Sequence, residues 1–355
     1  MSLKDRGIEY KEYPEMLIAG LHATPRDRTE VQALIHGLRR TISPELIVGP
    51  ALCTIQFVTS IQEGFDAEVG FPVSQPDPEM GVRTRVLPPL KVLSLTHRGP
   101  VEKIGDSYRL LYSCAAEHGL ISDEFCREIY PLPDEGQGQE IEIQFVLHDW
   151  SGLLDTNVGR VLGDSPRTQV MENVDTLDLE STAHARFCWV KGAMERLGRV
   201  ATQDQQYDIV SSCAHVFPRS QIAKLAAVYA QAKAETGDPL RAVDAVIAFM
   251  DEDPGWAEGA RREGNIIYSS KGPRDPKAYA EAQSEAQRKS AYCFCPLVRD
   301  HLDGSMPTHF CYCGAGWYRQ QWEGAIGKPV RVEILKSLLQ GDDLCQFAIH
   351  LPDRL

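Results

Sequence analysis

The sequence predicts an α+β protein of two domains: a duplicated strand-helix-strand-strand domain, then a helix-rich, cysteine-containing α+β domain. Three features predict it. Residues 140–147, Glu-Ile-Glu-Ile-Gln-Phe-Val-Leu, restate residues 66–73, Asp-Ala-Glu-Val-Gly-Phe-Pro-Val, at an offset of 74 that sets Glu142 on Glu68 and Phe145 on Phe71. The same offset sets Pro88 on Pro14, Val92 on Ile18 and Leu95 on Leu21, so a whole unit is repeated, as in a pseudo-symmetric fold built from two copies. From Ser181 onward the apolar spacing turns helical, and 355 residues suffice for each of two domains to bury its own core.

In chain order, residues 8–21 read as a strand interrupted at Pro14, and residues 29–41 as a helix with Val31, Leu34, Ile35 and Leu38 on one face behind Thr29 as N-cap. Residues 52–60 and 67–73 alternate about Glu63-Gly64 as a hairpin, and the Pro-rich stretch 74–80 joins the copies. The second copy predicts strands over 82–96, a helix over 101–118 stopped by Gly119, and strands at 127–130 and 140–147 around a loop, 131–139, placed to lid a cleft. Within the last strand Ile141, Ile143, Phe145 and Leu147 alternate with Glu142, Gln144 and Val146, so Glu142 faces away from the apolar set. The two copies are expected to face each other, with Glu142 in the gap.

The first domain is placed at residues 1–150. Residues 151–180, polar and weakly periodic, are expected as a linker region. The domain at 181–355 opens with a helix over 183–197 whose Phe187, Val190, Met194 and Leu197 form a stripe ending at Gly198. A helix follows from Ser220 to Ala234, and Asp238-Pro239 and Asp275-Pro276 are capping starts for two more. A helix over 316–326 stops at Gly327, and a closing hairpin turns at Gly341-Asp342-Asp343.

A net charge of −13 and a pI near 5.3, with no basic run and no helix-turn-helix pattern, argue against direct nucleic-acid contact, which needs clustered Lys and Arg. No run of about 18 apolar residues spans a membrane and no signal-peptide layout opens the chain, so a cytoplasmic protein without membrane contact is expected. Ten cysteines in that setting point to reduced thiols, metal ligands or redox chemistry rather than a disulfide scaffold.

Five ordered words carry a resemblance across residues 8–148: Gly64-Phe65-Asp66-Ala67-Glu68-Val69-Gly70-Phe71-Pro72-Val73; His97-Arg98-Gly99-Pro100 leading to Tyr108; Glu117-His118-Gly119-Leu120; Arg127-Glu128-Ile129-Tyr130; and Glu142-Ile143-Gln144. This stretch resembles the GyrI-like (gyrase-inhibitor-like) small-molecule-binding family, whose relatives include effector-binding domains of multidrug-responsive regulators. The resemblance implies an aromatic cleft between the repeats and a ligand-facing glutamate at Glu142, with Glu68 as its twin and Tyr108, Tyr112, Tyr130 and Phe57 near the ligand. A carboxylate in such a cleft is costly unless neutralised, which selects lipophilic cations. The implied function is a small-molecule sensor, sequestering protein or transcription-related effector domain without its own DNA-binding segment, partnered by a second copy or a separate regulator. Solvated glutamates and core aromatics are the plainer reading of the same residues. The resemblance also admits a hydrolase in which Glu142 is the general base on cyclopropane-type electrophiles; His97 and His118 are then the candidates for a second group.

In the second domain Cys293-Phe294-Cys295 and Cys311-Tyr312-Cys313 are two chelating pairs able to supply four thiolates to Zn or an iron-sulfur cluster, with Cys188, Cys213, Cys345, His301 and His309 as supplements. Buried apolar thiols and redox or nucleophilic cysteines are the competing readings. The closing hairpin, with Cys345 after its turn, resembles 4-vinyl-reductase-like and amino-thiazoline-carboxylate-hydrolase-like domains, which implies a second ligand site near these thiols.

Overall fold

The computed structural model describes residues 2–56, 64–76, 81–131, 140–252 and 259–355. The chain divides into two compact units, Met1–Glu117 with Ser122–His148, and His118–Ile121 with Asp149–Leu355.

The first unit contains β1 (Ile8–Tyr13), β2 (Met16–Ala23), α1 (Arg28–Thr41), β3 (Ala51–Gln56), β4 (Ala67–Pro72), β5 (Arg83–Leu87), β6 (Leu90–Arg98), α2 (Ile104–Glu117), β7 (Ser122–Tyr130) and β8 (Glu140–Leu147). Its strands form one antiparallel sheet in the order β1-β6-β8-β7-β3-β4-β2-β5. The interruption at Pro14 therefore separates two strands far apart in the sheet, β1 at one edge and β2 next to the opposite edge strand. The offset of 74 carries β1, β2 and β4 onto β5, β6 and β8, and each copy gives away its first strand: β1 pairs with β6, and β5 with β2.

In the middle the offset tightens to 73, which carries Val31 to Ile104, Leu38 to Leu111, Cys53 to Cys126 and Thr54 to Arg127. Thr54 and Arg127 are also register partners in the β3–β7 pair, so the pseudo-twofold axis passes between them. The copies thus lie side by side in a continuous sheet instead of facing each other, because pairing β3 with β7 leaves neither strand with an open edge. Asp27, not Thr29, caps α1, accepting from the Glu30 N–H at 3.0 Å.

The second unit contains α3 (Trp150–Leu162), α4 (Asp164–Val170), α5 (Ala183–Val200), α6 (Gln203–Ser211), α7 (Arg219–Thr236), α8 (Pro239–Glu252), β9 (Ala260–Glu263), β10 (Ile266–Ser270), α9 (Pro276–Glu281), α10 (Glu285–Tyr292), α11 (Tyr312–Ile326), β11 (Arg331–Lys336) and β12 (Gln346–His350). Residues 151–180, expected as a linker, instead hold α3 and α4. Trp150, Leu154, Val158, Val170 and Met171 are buried in a core with Phe187, Val190, Met194 and Leu197. Burying one such side chain is worth about 1.5 to 3 kcal/mol, so this stretch belongs to the fold of the unit rather than connecting it. The closing hairpin, β11 with β12, is extended by β10 and β9 into an antiparallel sheet of order β11-β12-β10-β9. Against a second core lie Ala315, Tyr318, Trp322 and Ala325 of α11. Among the described residues no helix is long and apolar enough to cross a membrane.

Candidate functional site

Strand alternation divides the titratable groups of the first unit between two faces. On β7, Cys126, Glu128 and Tyr130 share a face; the register sets Cys126 opposite Phe145, and Glu128 opposite both Cys53 and Ile143. This is the face met by α2, since the Tyr112 ring packs edge-on to Phe145 at 5.0 Å. Arg127 and Ile129 point the other way, as do Glu142 and Gln144 on β8 and Glu68 on β4.

Glu128 is fully buried on the helix face. Its Oε1 accepts hydrogen bonds from Arg28 Nε at 3.2 Å, Arg28 Nη2 at 2.8 Å and the Tyr108 hydroxyl at 2.7 Å, and its Oε2 from the Tyr130 hydroxyl at 2.6 Å. Tyr108 stacks on Tyr112 at 6.4 Å, and the Arg28 guanidinium carbon lies 5.0 Å from the Phe65 ring centroid. The Tyr108 hydroxyl is also 3.4 Å from Cys126 Sγ.

Burial raises the pKa of Tyr108 and Tyr130, and the neighbouring Glu128 charge raises both further, so each stays a phenol donating to the carboxylate. Burial opposes the Arg28 charge, but Glu128 outweighs it and keeps the guanidinium protonated. Burial, offset in part by Tyr108, pushes Cys126 up to about 12, so that thiol stays neutral. The result is one buried negative charge whose single ion-pair partner among the described residues, Arg28, has a side chain 26% exposed.

On the opposite face Glu142 Oε1 accepts from Lys11 Nζ at 3.0 Å and Gln144 Nε2 at 2.8 Å, with the Tyr13 hydroxyl at 3.3 Å. Burial raises the Glu142 pKa, but the Gln144 and Lys11 contacts lower it by more, so the carboxylate is held ionised. Glu68 is held by Arg85, whose Nε donates at 2.7 Å and whose Nη2 also reaches it, with His22 at 4.0 Å.

The expected site residues are therefore split. Tyr108, Tyr112 and Tyr130 come together; Glu142 and Glu68 lie on the other face, each already paired with a cation; Phe57 and residues 132–139 of the expected lid lie outside the described residues. Glu128 and Arg28 are the residues that pattern reading missed. The signal was present in Arg127-Glu128-Ile129-Tyr130, where strand alternation places Glu128 beside Tyr130. His97 is buried and engaged by Ser107 Oγ at 2.9 Å and the Pro100 carbonyl at 3.1 Å, and His118 lies 3.7 Å from Glu180.

In the second unit Cys293 follows α10, Cys311 precedes α11, and these two with Cys295 and Cys313 are half-buried against the first of its cores. Burial pushes Cys293, Cys295 and Cys313 up to about 12, and Cys311 well above the usual thiol range, so all four are neutral at pH 7. Among the described residues no group of three or more His, Cys, Asp or Glu side chains is arranged to hold a metal ion.

Residues 7–144 match the family model of the GyrI-like small molecule binding domain, and residues 277–355 match DUF6144, a family of unknown function. No curated protein matches the sequence. Solved structures similar to the chain include the EcmrR C-terminal domain, at 21% identity over 39% of this chain and 96% of that one, TM-score 0.34. SAV2435 bound to tetraphenylphosphonium is 11% identical over 39% and 93%, TM-score 0.29. A hydrolase from Listeria innocua is 15% identical over 39% and 90%, TM-score 0.29.

Proposed function

We propose that the first unit is a receptor for a small lipophilic cation, bound on the helix face with Glu128 as its charge partner and Tyr108, Tyr112 and Tyr130 as its aromatic wall. One observation carries the reading: Glu128 has no solvent exposure, yet the only cation paired with it among the described residues is the partly exposed Arg28. A buried carboxylate cannot be left alone without a penalty of several kcal/mol, so a ligand that displaces Arg28 must bring its own positive charge. The tyrosine faces add about 0.5 to 2 kcal/mol of cation-π attraction where water is excluded. The match of residues 7–144 to a small-molecule-binding family supports a ligand in this unit.

Such a protein acts by sequestering its ligand or by sensing it for another chain, a reading that the net charge of −13 favours over direct nucleic-acid contact. A hydrolase using Glu142 as general base has less support, since Lys11 and Gln144 occupy that carboxylate and reduce its basicity. Calorimetric titration of the full chain with tetraphenylphosphonium tests the assignment. Glu128→Gln is expected to weaken binding at least tenfold and Glu142→Gln to change it little; the reverse ranking overturns the site.

A further inference from the structure

At the centre of the face away from the helices, on the pseudo-twofold axis, stand Thr54 and Arg127. Arg127 is 1% exposed and Thr54 9%. Arg127 donates through Nε to Gln144 Oε1 at 2.6 Å, and its guanidinium carbon lies 4.6 Å from the Tyr13 ring centroid. Its Nη1 and Nη2 atoms, and the Thr54 hydroxyl, are buried without a hydrogen-bond partner among the described residues. Three unsatisfied polar atoms on two cross-strand neighbours are costly, because each buried donor left unmet forfeits about 1 to 3 kcal/mol and a charged one more. Burial accordingly disfavours the Arg127 charge, and Tyr13 and Glu142 only partly restore it.

The nearby carboxylates do not answer this need. Glu142 is engaged by Lys11 and Gln144, and Glu68 by Arg85. Lys11 is held by Glu142 and Glu9, and Arg85 by Glu68, whereas Arg127 has no ion-pair partner among the described residues. Beside the axis, Leu52 and Ile129 are register partners on the same face and pack with Ile18, Leu87 and Met16 as a small apolar cluster.

We propose that Arg127 and Thr54 form a second binding site, separate from the helix-face site, for a small organic monocarboxylate. The two carboxylate oxygens accept from Nη1 and Nη2 in the planar, bidentate geometry that suits a guanidinium fork, and the Thr54 hydroxyl donates to one of them. The apolar cluster at Leu52 and Ile129 receives the carbon end. Tyr13, half-buried on the edge strand β1, lies over the guanidinium and is the side chain a ligand moves aside. A single negative charge matches the one guanidinium of Arg127, whereas a phosphate dianion would exceed it and would find Glu68 and Glu142 as like-charged neighbours.

Calorimetry on the full chain with sodium benzoate, sodium acetate and inorganic phosphate decides the matter. Saturable one-to-one binding of benzoate is expected, tighter than acetate and at least tenfold tighter than phosphate, about tenfold weaker in Thr54→Val and absent in Arg127→Met. Thr54→Val keeps the side-chain volume, so it tests the site even if Arg127→Met fails to fold. Absence of saturable benzoate binding overturns the proposal, as does phosphate binding as tightly as benzoate or unchanged benzoate affinity in Thr54→Val. A crystal structure grown with benzoate that places only ordered water between Nη1, Nη2 and Thr54 Oγ1 overturns it as well.

Discussion

Lys11 reaches Glu142 at 3.0 Å from a strand that belongs to the other repeat. The offset of 74 carries Lys11 to Arg85 and Glu68 to Glu142, so the Arg85–Glu68 pair is the same interaction made by the other copy. Exchange of the first strands is thus accompanied by exchange of one charge in each direction, and the two glutamates that the repeat made conspicuous join the copies together.

The Lys11–Glu142 pair gives stability a defined pH dependence. The Glu142 pKa is lower in the folded protein than its ordinary value of 4.5. The stabilisation is therefore complete above about pH 4.5 and is lost as pH falls through the lower folded value. Side-chain exposures of 33% for Lys11 and 21% for Glu142 keep the worth of the pair to about 1 kcal/mol. In a double-mutant cycle of Lys11→Met and Glu142→Gln by urea denaturation, the coupling energy should be present at pH 7 and decline progressively as pH falls below about 4.5. A coupling that stays constant over that range would contradict the assignment.

Gly316 on α11 is set against α6, where a Cβ would collide with the Ser211 carbonyl oxygen and crowd Ala214 at 2.8 Å. The obstacle is backbone, so it cannot swing away. Gly316→Ala should destabilise the protein by about 1 to 3 kcal/mol despite the better helix propensity of alanine. Chemical denaturation monitored by tryptophan fluorescence reads the effect, and a gain in stability would show that the two helices are not in close contact.

The thiols separate by environment. Cys188 is exposed, with Sγ 3.5 Å from His184 Nε2, while Cys293, Cys295 and Cys313 have values near 12. At pH 8 a thiol of pKa about 12 is ionised to roughly one part in ten thousand, so it reacts slowly. Native protein treated with a disulfide reagent at pH 8 should show one fast thiol, removed by Cys188→Ser. Equally fast reaction at the Cys293 to Cys313 group would mean those thiols are activated, as thiols with depressed pKa values or prepared for a metal would be.

How far the pattern could be read depended on which interactions were periodic. The repeat gave the strands and the split of the β8 residues between faces, because alternation of Ile141, Ile143 and Phe145 with Glu142 and Gln144 is local information. It could not give strand exchange or the meeting of Arg28 with Glu128, which depend on pairing between distant parts of the chain, 100 residues apart for Arg28 and Glu128. At the start of the expected linker, the stripe of Trp150, Leu154 and Val158 was masked by Gly152, Asp155 and Thr156 between its members, and helix stability there comes from burial rather than propensity. That Tyr108 and Tyr112 share a face was legible because they are one turn apart; the grouping of Glu128 with them was not, because the more prominent Glu142 lies one strand away and on the other face.

Removing Arg28 should expose how the Glu128 site works. In Arg28→Met the buried carboxylate loses its cation, while the phenols of Tyr108 and Tyr130 remain as donors. Because the guanidinium reaches solvent, the loss should lie toward the lower part of the range for a broken buried pair, about 2 to 4 kcal/mol. A cationic ligand takes over the vacated role, so Arg28→Met should bind tetraphenylphosphonium more tightly than the unmodified protein while being less stable without it. At a ligand concentration one hundred times the dissociation constant, binding returns about 2.7 kcal/mol, enough to offset most of that loss. Thermal denaturation with and without ligand measures both effects. If the ligand stabilises Arg28→Met less than it stabilises the parent, Arg28 contacts the ligand instead of competing with it, and the exchange of cations at Glu128 is not how the site operates.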